Sequence, residues 1–371
     1  MTIRVAYTLE QCWHRVPGGT ATSAIGVARA IAAIDEAGIE MVGVSARHRD
    51  PPPPEFCPTV PVRALGLPRR ALYESWHTFR RPRVERATGA VDVIHATGMA
   101  IPPRTAPLVV TVHDLAFERF PAHATRNGLR FFRRSLVLTR RHADLVLCPS
   151  EATRRDCITA GIGAERIRVV PWGTDPVDAH AVAADAPAVL AKHGLRRRSF
   201  VLFVGTIEPR KNLAALASAF RDIGDADLVL AIVGPAGWNQ DLDALLAPVR
   251  DRVRVLGFVA RRELNVLYAN ASVFCYPSLL EGFGMPVLEA MAAGAAVITS
   301  AGTATAEVAA DAGVLVEPTD AAALGAAIAR VVSDDHHADE LRRRARERAA
   351  TFTWARSAEL TIDAYRSCAS P

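Results

Sequence analysis

FVLFVGTIEPRKNLAALASAF, residues 200–220, holds one complete structural unit. The uninterrupted apolar run Phe200–Val204 reads as a strand covered on both faces, as strands of a parallel sheet are. Gly205 to Asn212 supply loop residues, and Leu213–Phe220 continues as an Ala-rich amphipathic helix. Strand, loop and helix in that order make a β-α unit. Sheets built from such units bind ligands beyond the carboxyl ends of their strands, so the loop 205–212 is a candidate for chemistry as well as for connection.

The same alternation runs along the whole chain of 371 residues. Before the quoted unit, strands are expected at Ile3–Thr8, Ile39–Val44, Val91–Ala96, Leu108–Val112, Leu145–Cys148 and Arg168–Val170. From it onward they are expected at Phe200–Val204, Leu228–Val233, Val253–Leu256, Val273–Tyr276, Ala296–Thr299 and Val314–Val316. Two sets of strands with interleaved helices imply an α/β protein of two doubly wound Rossmann-like domains, and a single core rarely grows beyond roughly 250–300 residues. Pro171, Pro176 and Pro187 punctuate a stretch without clear periodicity, which places the boundary in 172–188. The expected divisions are 1–178, 179–350 and a C-terminal segment 351–371.

Composition narrows the function classes. Hydrophobic residues make up 50% and charged residues 22%, which excludes disorder, collagen and coiled coil. The net charge of +5 is concentrated in residues 63–155, with 17 cations against 7 anions. Such a surplus suits phosphate-bearing substrates or peripheral contact with an anionic membrane; no nucleic-acid partner is expected. Cys12, Cys57, Cys148, Cys157, Cys275 and Cys368 show no metal or disulfide spacing, and no secretory leader or membrane span is read, so a cytoplasmic protein is expected. Lysine occurs at 192 and 211 alone against 42 arginines, so either lysine can mark a site that needs an ammonium rather than any cation.

Four segments at strand ends carry the candidate chemistry. Pro17-Gly18-Gly19-Thr20 precedes a helix expected over 21–33, and its glycines either let a backbone approach an anion or form a tight turn. His113-Asp114 closes a strand, where it can bind a substrate hydroxyl, act as a base, or satisfy a loop hydrogen bond. Arg210-Lys211 sits where a helix dipole disfavours cations, a penalty that a bound diphosphate reverses. Glu281-Gly282-Phe283-Gly284-Met285-Pro286-Val287-Leu288-Glu289 follows a strand, with Pro286 in the first helical turn. Glu281 and Glu289 can both face one ligand that carries vicinal hydroxyls.

These motifs, in this order, with Gly234-Pro235-Ala236-Gly237-Trp238 and the closing Phe352-Thr353-Trp354 to Tyr365-Arg366, resemble glycosyltransferase family four, most of all its bacterial mannosyltransferases. The resemblance implies a GT-B fold, two Rossmann-like domains facing across a cleft with the C-terminal helix crossing back to the first. It implies a retaining hexosyl transfer from a nucleotide sugar, with GDP-mannose favoured and a UDP-sugar left open, to a sugar or lipid-linked acceptor. No metal or other cofactor is implied. Glu289 would bind the ribose, Lys211 and Arg210 the diphosphate, and Glu281 the donor sugar. The backbone of Gly282, Phe283, Gly284, Met285 and Pro286 would line sugar and phosphate, and Gly257-Phe258-Val259 would pass the base. His113 would sit over the sugar and Gly18-Gly19 near the phosphate. Many relatives carry Arg where this chain has Thr206, and the sequence leaves open whether Arg210 takes over that contact. A sugar-nucleotide epimerase or a non-catalytic nucleotide-sugar-binding protein of the same fold are the alternatives.

Overall fold

A computed structural model describes residues 2–34, 37–235, 237 and 241–369. The chain divides into two units, one formed by Met1–Gly173 with Thr353–Pro371, the other by Thr174–Phe352. The divisions fall at Gly173 and Phe352 rather than at 178 and 350.

The first unit is a seven-stranded parallel sheet: β1 (Ile3–Thr8), β2 (Ile39–Ser45), β3 (Val62–Ala64), β4 (Val93–Ala96), β5 (Leu108–Thr111), β6 (Leu145–Cys148) and β7 (Ile167–Val169), in the order β3-β2-β1-β4-β5-β6-β7. The second is a six-stranded sheet, β8 (Phe200–Val204), β9 (Val229–Val233), β10 (Val253–Gly257), β11 (Val273–Tyr276), β12 (Val297–Ser300) and β13 (Val314–Val316), ordered β10-β9-β8-β11-β12-β13. Both are doubly wound α/β sheets whose strand order reverses next to their first strand, between β1 and β4 and between β8 and β11. The crevice that such a reversal opens is where ligands of these folds bind. Alternation alone located every strand except β3, whose three residues are half-buried or exposed and so leave no apolar run to read.

Two segments differ from expectation. The stretch 172–188 is not a plain linker, because Ala179–Lys192 is a helix that tolerates Pro187 inside it. The Asp178 carboxylate starts that helix by accepting from the amides of His180 and Ala181. Residues 342–348, expected as a solvated basic face, are mixed. Arg343 and Arg344 pair with Glu340 at the surface, whereas Arg342 is buried and donates to the Ser272 carbonyl.

The helix Trp354–Ala369 packs on the first unit. Trp354 lies against Gly26, Ser357 donates to the Pro171 carbonyl at 2.6 Å, and the Tyr365 hydroxyl meets His95 Nδ1 at 2.6 Å. Burial pushes the His95 imidazole down to about 3, so it is a neutral anchor in the core.

Candidate active site

In the second unit the loops after β8 and β11 meet, because those strands are neighbours at the reversal of strand order. Pro209–Lys211 forms one turn of 3-10 helix, and Asn212, at φ +57°, redirects the chain into the helix Leu213–Arg221. Arg210 and Lys211 therefore lie before the α-helix rather than within it. Lys211 Nζ donates to Glu281 Oε1 at 2.6 Å and to the Tyr276 hydroxyl at 2.7 Å. The Arg210 guanidinium donates to Glu281 Oε2 at 3.1 Å, to the Leu280 carbonyl at 2.9 Å and to Glu208 Oε1 at 2.7 Å. Ser278 Oγ and the Tyr276 hydroxyl complete the set with bonds to Glu281 Oε1 at 2.6 Å and 3.0 Å.

Two cations and two carboxylates thus share one buried cluster. Burial works against ionisation of Glu281, but Lys211 and Arg210 outweigh it and hold the carboxyl at about 2. Burial, and after it the neighbouring Arg210 charge, push the Lys211 ammonium below its ordinary value, while Glu281 and Glu208 pull it back. Both oxygens of Glu281 are occupied by the chain itself. In this geometry the residue orients the two cations, a role that the motif spacing did not disclose.

The helix Met285–Ala292 begins at Gly284, whose φ is +103° and whose added Cβ would lie 2.7 Å from Thr305 Cγ2. That position admits no side chain without strain. Gly284→Ala is expected to cost roughly 1–3 kcal/mol and to shift the loop. The check is a thermal melt against Gly224→Ala, where the added methyl meets nothing within 4 Å. Equal melting temperatures would remove the argument. Gly282, Phe283 and Met285 are buried, and Phe283 packs on Phe352 edge to face at 5.9 Å.

Glu289 stands apart from the Glu281 cluster. Its Oε2 accepts from the Arg261 guanidinium at 2.6 Å, an interaction that sequence reasoning missed, as it missed Tyr276, Ser278 and Glu208. Val259 is buried after β10, whereas Phe258 beside it is 69% exposed. Thr206 is half-buried in the loop after β8, close to Gly237. Gly234, at φ +138°, leaves no room for a Cβ against the Gly205 carbonyl, so the β9 turn packs directly on that loop. Ala236 and Trp238 of the same motif lie outside the described residues.

In the first unit His113 follows β5. Its Nε2 donates to the Thr97 carbonyl at 2.7 Å, and its ring lies 5.2 Å from that of Trp172. The hydrogen bond fixes the proton on Nε2 and leaves Nδ1, buried and without a hydrogen-bond partner among the described residues, as an acceptor. Burial holds the ring below its ordinary pKa despite the Thr97 bond and the Asp114 charge. Asp114 instead accepts from the Ala116 amide at 3.0 Å, so the adjacent His and Asp do different work. Gly18 and Gly19 are exposed in the first turn of the helix Gly18–Ala32, which begins before the expected residue 21. Among the described residues no group of three or more His, Cys, Asp and Glu could hold a metal ion, and no helix is long and apolar enough to cross a membrane.

Comparison with known proteins decides the family. Residues 17–178 match the family model described as Glycosyltransferase Family 4, and residues 187–351 match Glycosyl transferases group 1. O-antigen chain mannosyltransferase B of Escherichia coli is 31% identical over 281 residues, 74% of either chain. The chain belongs to glycosyltransferase family 4. It is a glycosyltransferase, and a D-inositol 3-phosphate glycosyltransferase of Catenulispora acidiphila is also similar, 30% identical over 87% of this chain and 84% of its own. Among solved structures, Anabaena HepE in complex with UDP and glucose covers 98% of this chain and all of its own at TM-score 0.74 and 19% identity. WaaG, a glycosyltransferase involved in lipopolysaccharide biosynthesis, covers 97% and 99% at TM-score 0.74 and 19% identity, and both share the GT-B fold with this chain.

Proposed function

We propose that this family 4 glycosyltransferase moves a mannosyl group from GDP-mannose to an acceptor hydroxyl of a glycan, glycolipid or polysaccharide, with retention of configuration and without a metal. The observation that carries the reading is the pair of half-buried Arg210 and buried Lys211, fixed by Glu281 at the crevice between β8 and β11. A nucleoside diphosphate leaves with negative charge growing on its β-phosphate, and preorganised cations stabilise that charge without reorganising. The exposed glycines Gly18 and Gly19 in the first turn of their helix suit an anion in the same way. Similarity to mannosyltransferases supports the sugar, and solved neighbours with bound UDP or UDP-glucose support a nucleotide-sugar donor.

In this reading Glu289 meets the ribose hydroxyls once Arg261 shifts, and the unprotonated Nδ1 of His113 accepts a sugar hydroxyl. The acceptor oxygen forms its bond to the anomeric carbon on the face from which the phosphate oxygen departs. That departing oxygen takes the acceptor's proton, so no protein nucleophile is consumed.

A panel of GDP-, UDP- and ADP-sugars, read as diphosphate release with and without a mannosyl acceptor, tests the donor. Proton NMR of the product tests the stereochemistry. GDP-mannose is expected to give acceptor-dependent release and an α-linked product. Preference for a UDP-sugar overturns the donor, an inverted product overturns retention, and release with epimerised sugar but no transfer product overturns the reaction.

A further inference from the structure

The first unit carries a second cationic cluster, apart from the residues assigned above to the donor. A cleft of about 1030 Å³ opens between the end of edge strand β3 with the turn after it, Ala64–Leu67, and the segment that follows the helix Arg69–Phe79. Among the described residues Arg80, Arg81, Arg83 and Arg86 line it, and no aspartate or glutamate does. Among the described residues none of these four arginines makes an ion pair with a carboxylate. Glu85 shares their segment, but it is half-buried and does not line the cleft.

The segment is held in shape by neutral groups. Ser75 Oγ donates to the Arg81 carbonyl at 2.6 Å, and Trp76 Nε1 donates to the Pro82 carbonyl at 2.9 Å. The half-buried Arg80 guanidinium donates to the carbonyls of Trp76, Ile101 and Pro102. Three of its N–H bonds are spent there, which leaves the remainder of a five-donor fork for a ligand. Elsewhere in this unit arginines meet carboxylates, as Arg104 meets Asp144 and Arg134 meets Glu74. Four guanidinium groups around one concave surface repel one another unless an anion joins them, and planar forks match the oxygens of a phosphate bidentately. Phe79, 72% exposed at the rim, adds an apolar contact that a simple anion does not need.

We infer that this cleft binds a phosphoryl group, of an anionic phospholipid or of a soluble phosphate ester, at a site separate from the donor cluster. The ligand's phosphate oxygens receive N–H bonds from the arginines, and no covalent step is involved. Each arginine near an anionic surface contributes roughly fivefold to binding, so neutralising three should weaken it on the order of 10²-fold.

The test compares wild type with the triple variant Arg81→Gln, Arg83→Gln, Arg86→Gln and with Phe79→Ser. Arg80 is left intact because its carbonyl bonds hold the loop. Phosphatidylglycerol-containing and pure phosphatidylcholine vesicles are used in sedimentation, and glycerol 3-phosphate and inorganic pyrophosphate in calorimetry, with GDP as a control for the donor cluster. The expected result is anion binding that falls about 10²-fold in the triple variant while GDP affinity stays at the wild-type value. Binding to phosphatidylglycerol vesicles that also drops in Phe79→Ser assigns the phosphate to a lipid. Binding to the soluble phosphates that is indifferent to Phe79 assigns it to a free ester. Equal binding to both kinds of vesicle with no soluble-phosphate binding overturns the inference, as does a triple variant that binds every anion like wild type. Because GDP affinity is read separately, failure here leaves the transferase reading standing, and failure of donor binding leaves this one.

Discussion

Lys211→Ala is expected to lower the rate of transfer by ~10²–10³ at saturating donor, the usual effect of deleting one preorganised group that stabilises charge in a transition state. The ammonium is placed by a carboxylate and a phenol at 2.6 and 2.7 Å, in a pocket that leaves it 8% exposed, so its position costs nothing at the moment of reaction. Removing it leaves Glu281 with Arg210, Ser278 and Tyr276, which keep the carboxylate paired and the fold intact. The loss should therefore fall on kcat rather than on melting temperature. Lys211→Arg should not restore the rate, since a planar fork cannot occupy the place of a compact ammonium between Tyr276 and Glu281. Wild-type turnover in the alanine variant, measured as diphosphate release per acceptor glycosylated, would remove charge neutralisation by Lys211 from the mechanism.

The two lysines of the chain illustrate what a linear reading can hold. Lys192 pairs with Glu263 on the surface at 2.8 Å, an exposed contact of little weight, whereas Lys211 lies in the cluster. Rarity pointed to both and location separated them. The apolar runs that became β8 and β11 were legible because strands covered on both faces need uninterrupted apolar sequence. Their adjacency in the sheet was not, and it is that adjacency which brings Glu281 to residues some 70 positions earlier. For the same reason the glutamate pair, evenly matched in the motif, divided in three dimensions. Glu281 turned toward β8 and two cations, and Glu289 toward Arg261 after β10. Tyr276 and Ser278 gave no separate signal, since a tyrosine ending an apolar strand and a serine in a loop are ordinary residues until their hydroxyls converge. The helix Ala179–Lys192 stayed hidden behind Pro187, whose cost tertiary packing absorbs.

Glu281→Ala should be the most destabilising single change in the second unit's site, by roughly 3–5 kcal/mol, because it strands the buried Lys211 ammonium rather than merely deleting a contact. Arg210 retains Glu208, but among the described residues Lys211 keeps only the Tyr276 hydroxyl as a direct side-chain partner. A loss of that size lowers Tm on the order of 10 °C for a unit of this length. The sign of its pH dependence follows from the folded carboxyl at about 2 against an ordinary 4.5. A depressed folded pKa contributes stability that is fully present above the ordinary value and disappears as pH falls through the folded one. Wild type should accordingly weaken between about pH 4.5 and 2 by an amount that Glu281→Ala does not show, and the two stability curves should converge toward the acid end. Curves that ran parallel through that window would mean that the carboxylate is not what holds the cations. Glu281→Gln separates the two contributions, since its amide can still accept from Ser278 and Tyr276 while offering Lys211 no charge. Its melting temperature should lie between those of wild type and the alanine variant.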